Sequence, residues 1–380
     1  MRATTRVLTK MLAAGCAALA FAASAQITIG VSMPLSGAGA ALGVPARSGI
    51  PFWPQEIAGE KLKVVVMDDA GDPAAATRIA RRFVEDKVDV LVGSIVTPPA
   101  IAVSQVAFEA RVPHFVAAPV ELPDGKGAWT FRLPMPHSFY MAGIVQHMKQ
   151  SGVRTVGFLG WSDAYGELNL QAINEQAKDA GIKVTAVERF TRADTSVTAQ
   201  ALRVVATQPD AILVVASGGG AALPQKALKE RGYKGRIYHV PAAISPDFIR
   251  LAGKDAEGAL ILSGPDQVPE QLPESHPARK AALEFVQRYE AVHGPGSRTQ
   301  FAANLYDVGL VLQKTVPVAL KQGRPGTPEF RTALRDAIES MDEVLTPKGE
   351  LRYSATDHWG RGASARVMLT VNDGKWTLLR

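Results

Sequence analysis

Cysteine is almost absent from this chain of 380 residues, with Cys16 as its one copy. Cys16 falls in an N-terminal stretch that reads as a leader, so the mature chain is expected to carry none. That excludes disulfides, thiol nucleophiles and thiolate metal sites. Long apolar runs are also missing. Beyond the N-terminus no stretch reaches the roughly 18 residues of a membrane-spanning helix. Blocks of like charge are absent, and the net charge is only +6. The leader supplies three of those charges through Arg2, Arg6 and Lys10, which leaves a mildly basic mature chain. No nucleic-acid or anionic-membrane partner is expected from such a balance.

Catalytic signatures are missing as well. No serine stands in a G-x-S-x-G elbow. The seven histidines are scattered and none forms H-E-x-x-H. His137 and His147 lie ten positions apart, which suits no metal pair on a helix, and they read as surface or hydrogen-bonded residues. Asp68, Asp69 and Asp72 are close in sequence, but Asp72 reads as a helix cap and the other two as a strand end. The expectation is a protein that is not an enzyme and holds no metal or cofactor.

What is present begins with the leader. Three basic residues precede the apolar run "MLAAGCAALAFAA", and "ASA" (Ala23 to Ala25) ends it. This is the pattern of a secretory signal peptide, with cleavage expected after Ala25 and export to the periplasm. "LAAGC" is similar to a lipoprotein box but comes too early in the apolar stretch.

Strand-like and helix-like segments then alternate. "KLKVVVMDD", "VDVLVGS" and "VPHFVAA" are apolar enough for parallel strands covered on both faces. Between them "GDPAAATRIARRFVEDK" and "PAIAVSQVAFEAR" have helical spacing. The pattern restarts at "VRTVGFLGW" and runs through "KVTAVERF", "DAILVVAS", "RIYHVPA" and "GALILSG". Gly232 reads as the end of the helix "LPQKALKERG". "PDQVPEQLPESHP" reads as a crossing segment, with three long helices after it. "GELRYS" and "SARVMLTVNDGKWTLL" are strand-like, with a turn at Asn372 to Gly374.

The fold class is therefore α/β, as two doubly wound Rossmann-like lobes joined by a multi-crossing hinge. The expected division is 1–25 leader, 26–138 plus 268–345 lobe 1, and 139–267 plus 346–380 lobe 2. The glycine-rich "PLSGAGAALG" after the first strand reads as a loop. Its spacing, G-x-G-x-x-x-G, has one residue too many for a dinucleotide fingerprint.

Several stretches together resemble the leucine/isoleucine/valine-binding type of periplasmic substrate-binding protein, of the type I periplasmic binding protein fold. They are "IGVSMPLSGAGAALG", "VVVMDDAGDPAAATRIARRFVEDKVDVLVGS", "PAIAVSQVAFEARVPHFVAA", "GWSDAYGELN", "LAGKDAEGALILSG" and "FAANLYDVGLVLQK", which cover essentially the whole mature chain. The resemblance implies an interlobe cleft for a small carboxylate ligand and delivery to an inner-membrane ABC permease and its ATPase. A monomer is expected. An exported ligand sensor of the same fold is the alternative, with an exported enzyme less favoured.

The same resemblance implies site positions. Thr97 falls where a hydroxyl meets the ligand carboxylate. Pro98 and Pro99 follow it without N–H groups, so part of the amide donor set is lost. Ala117 and Ala118 fall at a second backbone contact, where Val120 replaces a family threonine. Tyr165 matches a pocket tyrosine and Ser217 falls near another. Ser36 and Leu42 would form the rim and wall on the glycine-rich segment. Ala242 and Ala243 stand where amino-acid binders place an acid for the ligand ammonium. The expected ligand is therefore a small aromatic or branched aliphatic carboxylate without an α-amino group, because an unpaired buried ammonium would be costly. Asp247 is expected to start a helix.

Overall fold

The computed structural model describes residues 26–379. The leader and its cleavage site lie outside the described residues. The first strand, Ile27–Met33 (β1), is buried along almost its whole length. It pairs in parallel with Glu60–Asp68 (β3) on one side and Val90–Gly93 (β4) on the other. Glu56–Ile57 (β2), His114–Val116 (β5) and Thr130–Arg132 (β6) complete a sheet of order β2-β3-β1-β4-β5-β6.

A second sheet repeats the plan. Its strands are Thr155–Trp161 (β7), Lys183–Phe190 (β8), Ala211–Val215 (β9), Arg236–His239 (β10) and Leu260–Ser263 (β11). A small hairpin follows, Val344–Thr346 (β12) and Gly349–Leu351 (β13). The chain then returns to the second sheet as Val367–Asn372 (β14) and Lys375–Leu378 (β15), giving the order β15-β14-β11-β10-β9-β7-β8. Asp373 and Gly374 both have positive φ, as a two-residue turn between twisted strands requires. The molecule is thus α/β with two lobes. The chain crosses between them after β6, after β11 and before β14.

Local chemistry sets the helix starts. Asp72 accepts the amide of Ala75 at 2.6 Å and caps Pro73–Glu85. Asp68 accepts the amides of Leu35 and Ala70 at 2.8 Å, and Asp69 accepts the Ser32 hydroxyl at 2.8 Å. The acids near the end of β3 are therefore structural. "PLSGAGAALG" is loop only at its start, because Ala40–Arg47 is a helix. Gly43 is required there, since a Cβ would fall 1.9 Å from the Pro34 carbonyl oxygen. Asp247 stands in the first turn of Pro246–Ala252, but Ser245 is the cap, accepting the Phe248 amide at 3.1 Å.

The two sheets have separate cores. In the first, Phe131 packs on Phe115 and Tyr353, with ring centroids 5.7 and 5.2 Å apart. Each such fully buried ring contributes about 1.5–3 kcal/mol. Leu351 and Tyr353 belong to this core, and the Tyr353 hydroxyl donates to the Arg132 carbonyl at 2.9 Å. Leu351 and Tyr353 both lie past residue 345 in the chain.

Candidate functional site

The strands of both lobes end facing a common cavity, the place where open α/β sheets bind ligands. On the first lobe its walls are Leu42, Ile95, Thr97, Ala117 and Pro119. On the second they are Tyr140, Tyr165, Arg192, Ser217 and Ala242. Pro134 and Met135 line it from the first crossing, and Gln300, Phe301, Asn304 and Lys348 from the hinge side.

Thr97 opens the helix Thr97–Ala110, and prolines follow it in the first turn. The helix end thus offers fewer amide donors than usual. Tyr140 and Tyr165 are both buried. The Tyr140 hydroxyl donates to Asn169 Oδ1 at 2.7 Å, and Asn169 Nδ2 donates to the Tyr165 carbonyl at 2.9 Å. Burial raises both phenol pKa values, so both remain protonated.

Arg192 is held in place before any ligand arrives. Its Nε donates to Asp163 Oδ2 at 2.7 Å, and its guanidinium lies 3.5 Å from the Trp161 ring centroid. Asp163 is itself fixed as the cap of Ala164–Ala180, accepting the Gly166 amide at 3.2 Å. Among the described residues none accepts a hydrogen bond from the two terminal nitrogens of Arg192. A preoriented guanidinium with a free fork suits a carboxylate.

Lys348 is the second cation on the wall. It is only 3% exposed. Burial pushes its pKa down to about 8, against the opposing pull of Asp266 and Asp307. At neutral pH it remains an ammonium. No aspartate or glutamate appears among the cavity's described lining residues.

Six of the expected site positions meet at this cavity: Leu42, Thr97, Ala117, Tyr165, Ser217 and Ala242. Three do not line it. Ser36 is exposed, and its amide donates to Asp68 at 3.3 Å. Pro98 is half-buried one step behind Thr97. Ala118 packs in a small cluster with Ala100, Val116 and Val120. His137, expected on the surface or hydrogen-bonded, is instead 3% exposed, and neither ring nitrogen has a hydrogen-bond partner. It packs against the rings of Tyr140 and Tyr165 because the helix His137–Gln150 begins at the crossing between lobes. His147 Nδ1 does share a hydrogen bond with Tyr238, at 2.9 Å.

Sequence reasoning missed Tyr140, Arg192, Gln300, Asn304 and Lys348. For the pair on the helix Gln300–Ala319 a signal existed. Gln300, Asn304 and Asp307 recur at i, i+4 and i+7 among mainly apolar neighbours in the first half of the helix, which places three polar residues on one buried face.

A family model described as periplasmic binding protein matches residues 26–375. An extracellular ligand-binding receptor from Rhodopseudomonas palustris is 46% identical, with a TM-score of 0.91 over 93% of this chain and 99% of that one. A curated relative from Brucella melitensis, Leu/Ile/Val-binding protein homolog 3, is 23% identical over 92% of this chain and 93% of its own length. A solute-binding protein of an R. palustris ABC transporter, solved in complex with benzoate, shares the fold. It is 19% identical, with a TM-score of 0.77 over 93% of this chain and 95% of that one.

Proposed function

Starting from the fact that the chain belongs to the periplasmic binding protein family, in its Leu/Ile/Val-binding branch, we propose that it is the exported binding component of an ABC importer for a small organic acid. In this reading the ligand is an aromatic or branched aliphatic carboxylate without an α-amino group. It is held between lobes that divide near 138/139, near 267/268 and in the stretch after Tyr353. The loaded protein is handed to an inner-membrane permease and its ATPase.

One observation carries the reading: the cavity wall has two cations, Arg192 and Lys348, and no described carboxylate. A buried α-ammonium would meet like charge on that wall and no carboxylate lining it to pair with, which is costly. A carboxylate would meet the free fork of Arg192 from one lobe and the Thr97 hydroxyl from the other. Ala242 leaves apolar space at the wall of the second lobe. The benzoate-bound neighbour supports the choice in that its fold accommodates an aromatic acid.

Closure follows from the same contacts. A ligand shifts the open–closed equilibrium only by its differential affinity for the two states. Leu42 and Thr97 touch it from one lobe, Tyr165 and Arg192 from the other, so the full contact set exists only when the lobes are together.

The test is a thermal-shift panel with native mass spectrometry on the purified mature protein. At a hundredfold excess over its dissociation constant a true ligand stabilises by about 2.7 kcal/mol. Benzoate, phenylacetate, 3-phenylpropanoate or 3-methylbutanoate is expected to raise the melting temperature, and leucine, isoleucine and valine are not. Stabilisation by the amino acids alone would overturn the ligand class.

A further inference from the structure

The carboxylate reading leaves part of the cavity without a role. Lys348 sits in the two-residue turn of the hairpin, between the paired residues Thr346 and Gly349. Residues at hairpin tips are ordinarily solvated, yet this lysine is buried. Its amide is pinned by Thr346 Oγ1 at 3.1 Å, and that same oxygen accepts from Arg361 at 3.0 Å. Its stem backs onto the second crossing, since a Cβ on Gly264 would lie 3.9 Å from the Lys348 Cβ. The charged groups acting on its ammonium are Asp266, Asp307 and Arg361. Among the described residues none stands within ion-pair or hydrogen-bond distance of Nζ.

Asn304 lines the same cavity and is 3% exposed. Its Oδ1 has no hydrogen-bond partner. It stands one helical turn before Asp307, whose carboxylate acts on Lys348. An unpartnered donor and an unpartnered acceptor therefore share one region of the cavity wall. Unpaired buried groups of this kind carry a desolvation cost that a matching ligand group removes.

We infer that Lys348 and Asn304 form a second polar anchor, and that the ligand carries, besides its carboxylate, a hydroxyl that accepts from Lys348 Nζ and donates to Asn304 Oδ1. The alternatives each fail on one partner. A second carboxylate satisfies Lys348 and gives nothing to Asn304 Oδ1. An ammonium donates to Asn304 but meets the Lys348 charge. An unsubstituted ring leaves both groups unpaired. Phe301, Tyr140 and Leu42 form apolar wall in the same cavity, so the class is a hydroxylated acid with an apolar body. This inference rests on the carboxylate reading above.

The experiment is calorimetric titration of the full mature protein with benzoate, phenylacetate and 3-phenylpropanoate, each against its para-hydroxy partner. In at least one pair the hydroxylated acid is expected to bind about tenfold tighter or better. Lys348→Met is expected to bring that preference to within about threefold, with the larger loss of affinity falling on the hydroxylated acid. Asn304→Ala is a second variant, should Lys348→Met fail to fold, and is expected to shrink the same preference. Equal binding across every pair overturns the anchor and leaves the carboxylate reading standing. An equal loss for parent and hydroxylated acid in Lys348→Met also overturns it, by making Lys348 the carboxylate's own partner. No binding of any of the six acids overturns the carboxylate reading itself, and the anchor with it.

Discussion

The guanidinium of Arg361 lies 2.5 Å from the carboxylate of Asp307, and neither side chain is exposed. Asp307 comes from the helix Gln300–Ala319, whereas Arg361 belongs to the last stretch before β14. The same guanidinium donates to the Leu133 carbonyl at 2.6 Å, just beyond β6. One side chain thus ties two of the three crossings to a helix of the first lobe. Breaking a buried pair by removing one charge leaves the other uncompensated. Asp307→Asn is therefore expected to destabilise the protein by about 3–5 kcal/mol. Urea unfolding of both proteins measures it, and an unchanged midpoint at equal slope would show that the pair contributes nothing.

Buried histidines should make the fold sensitive to acid. His239 has its Nε2 2.8 Å from Gln225 Oε1 and its ring 4.9 Å from that of Phe248. Burial pushes its pKa down to about 3, from the ordinary 6.5. Between those values the unfolded chain binds a proton that the native state refuses, so stability falls as pH falls through the window. Compared with His239→Gln, the wild type should lose roughly 1.4 kcal/mol per pH unit below about 6.5. His114, also lowered, to about 4, is common to both proteins and cancels. Denaturant unfolding between pH 7 and 4 decides the matter, and parallel stability curves would refute it.

The fold was legible because its signals are local. Apolar strands such as "DAILVVAS", the cap at Asp72 and the turn at Asp373–Gly374 each depend on a few neighbouring residues. The cavity was legible where a residue directly follows a strand, as with Thr97 and Ala242. It was not legible where tertiary packing reverses the local expectation. Lys348 reads in sequence as an ordinary exposed turn lysine, and only the packing of the hairpin on the first lobe buries it. Arg192 lies in "RFTRADT", where nothing in the spacing distinguishes it from a surface arginine. Trp161 and Asp163, some thirty residues earlier, give it a fixed orientation. Ser36 failed for the opposite reason. It belongs to the right segment, but it is committed to Asp68 at the exposed end of β3 and does not reach the cavity.

Arg192 should behave as more than a positive charge. Its planar group stacks on Trp161 while Nε is engaged by Asp163, leaving a two-nitrogen fork toward the cavity. A lysine cannot reproduce that bidentate geometry. Arg192→Gln is expected to weaken binding of the best acid from the thermal-shift panel by about a hundredfold. Arg192→Lys should recover less than half of that loss on a logarithmic scale. Calorimetry on the three proteins checks this, and full recovery by lysine would mean that charge alone is read.

Ala242 gives the most direct test of what the cavity excludes. It follows β10 and lines the second-lobe wall, at the position where the family resemblance implies an acid for an α-ammonium. Ala242→Asp adds a negative charge to a wall that now carries only cations. Two opposite effects should follow. The new acid can pair with Arg192 or Lys348 and repels a ligand carboxylate, so affinity for the organic acids should fall by about tenfold or more. The missing counter-charge is also supplied, so leucine or phenylalanine should gain measurable binding that the wild type lacks. Both are read by thermal shift and calorimetry on the same preparations. If Ala242→Asp loses the acids and gains no amino acid, the wall at this position is not where an ammonium would sit.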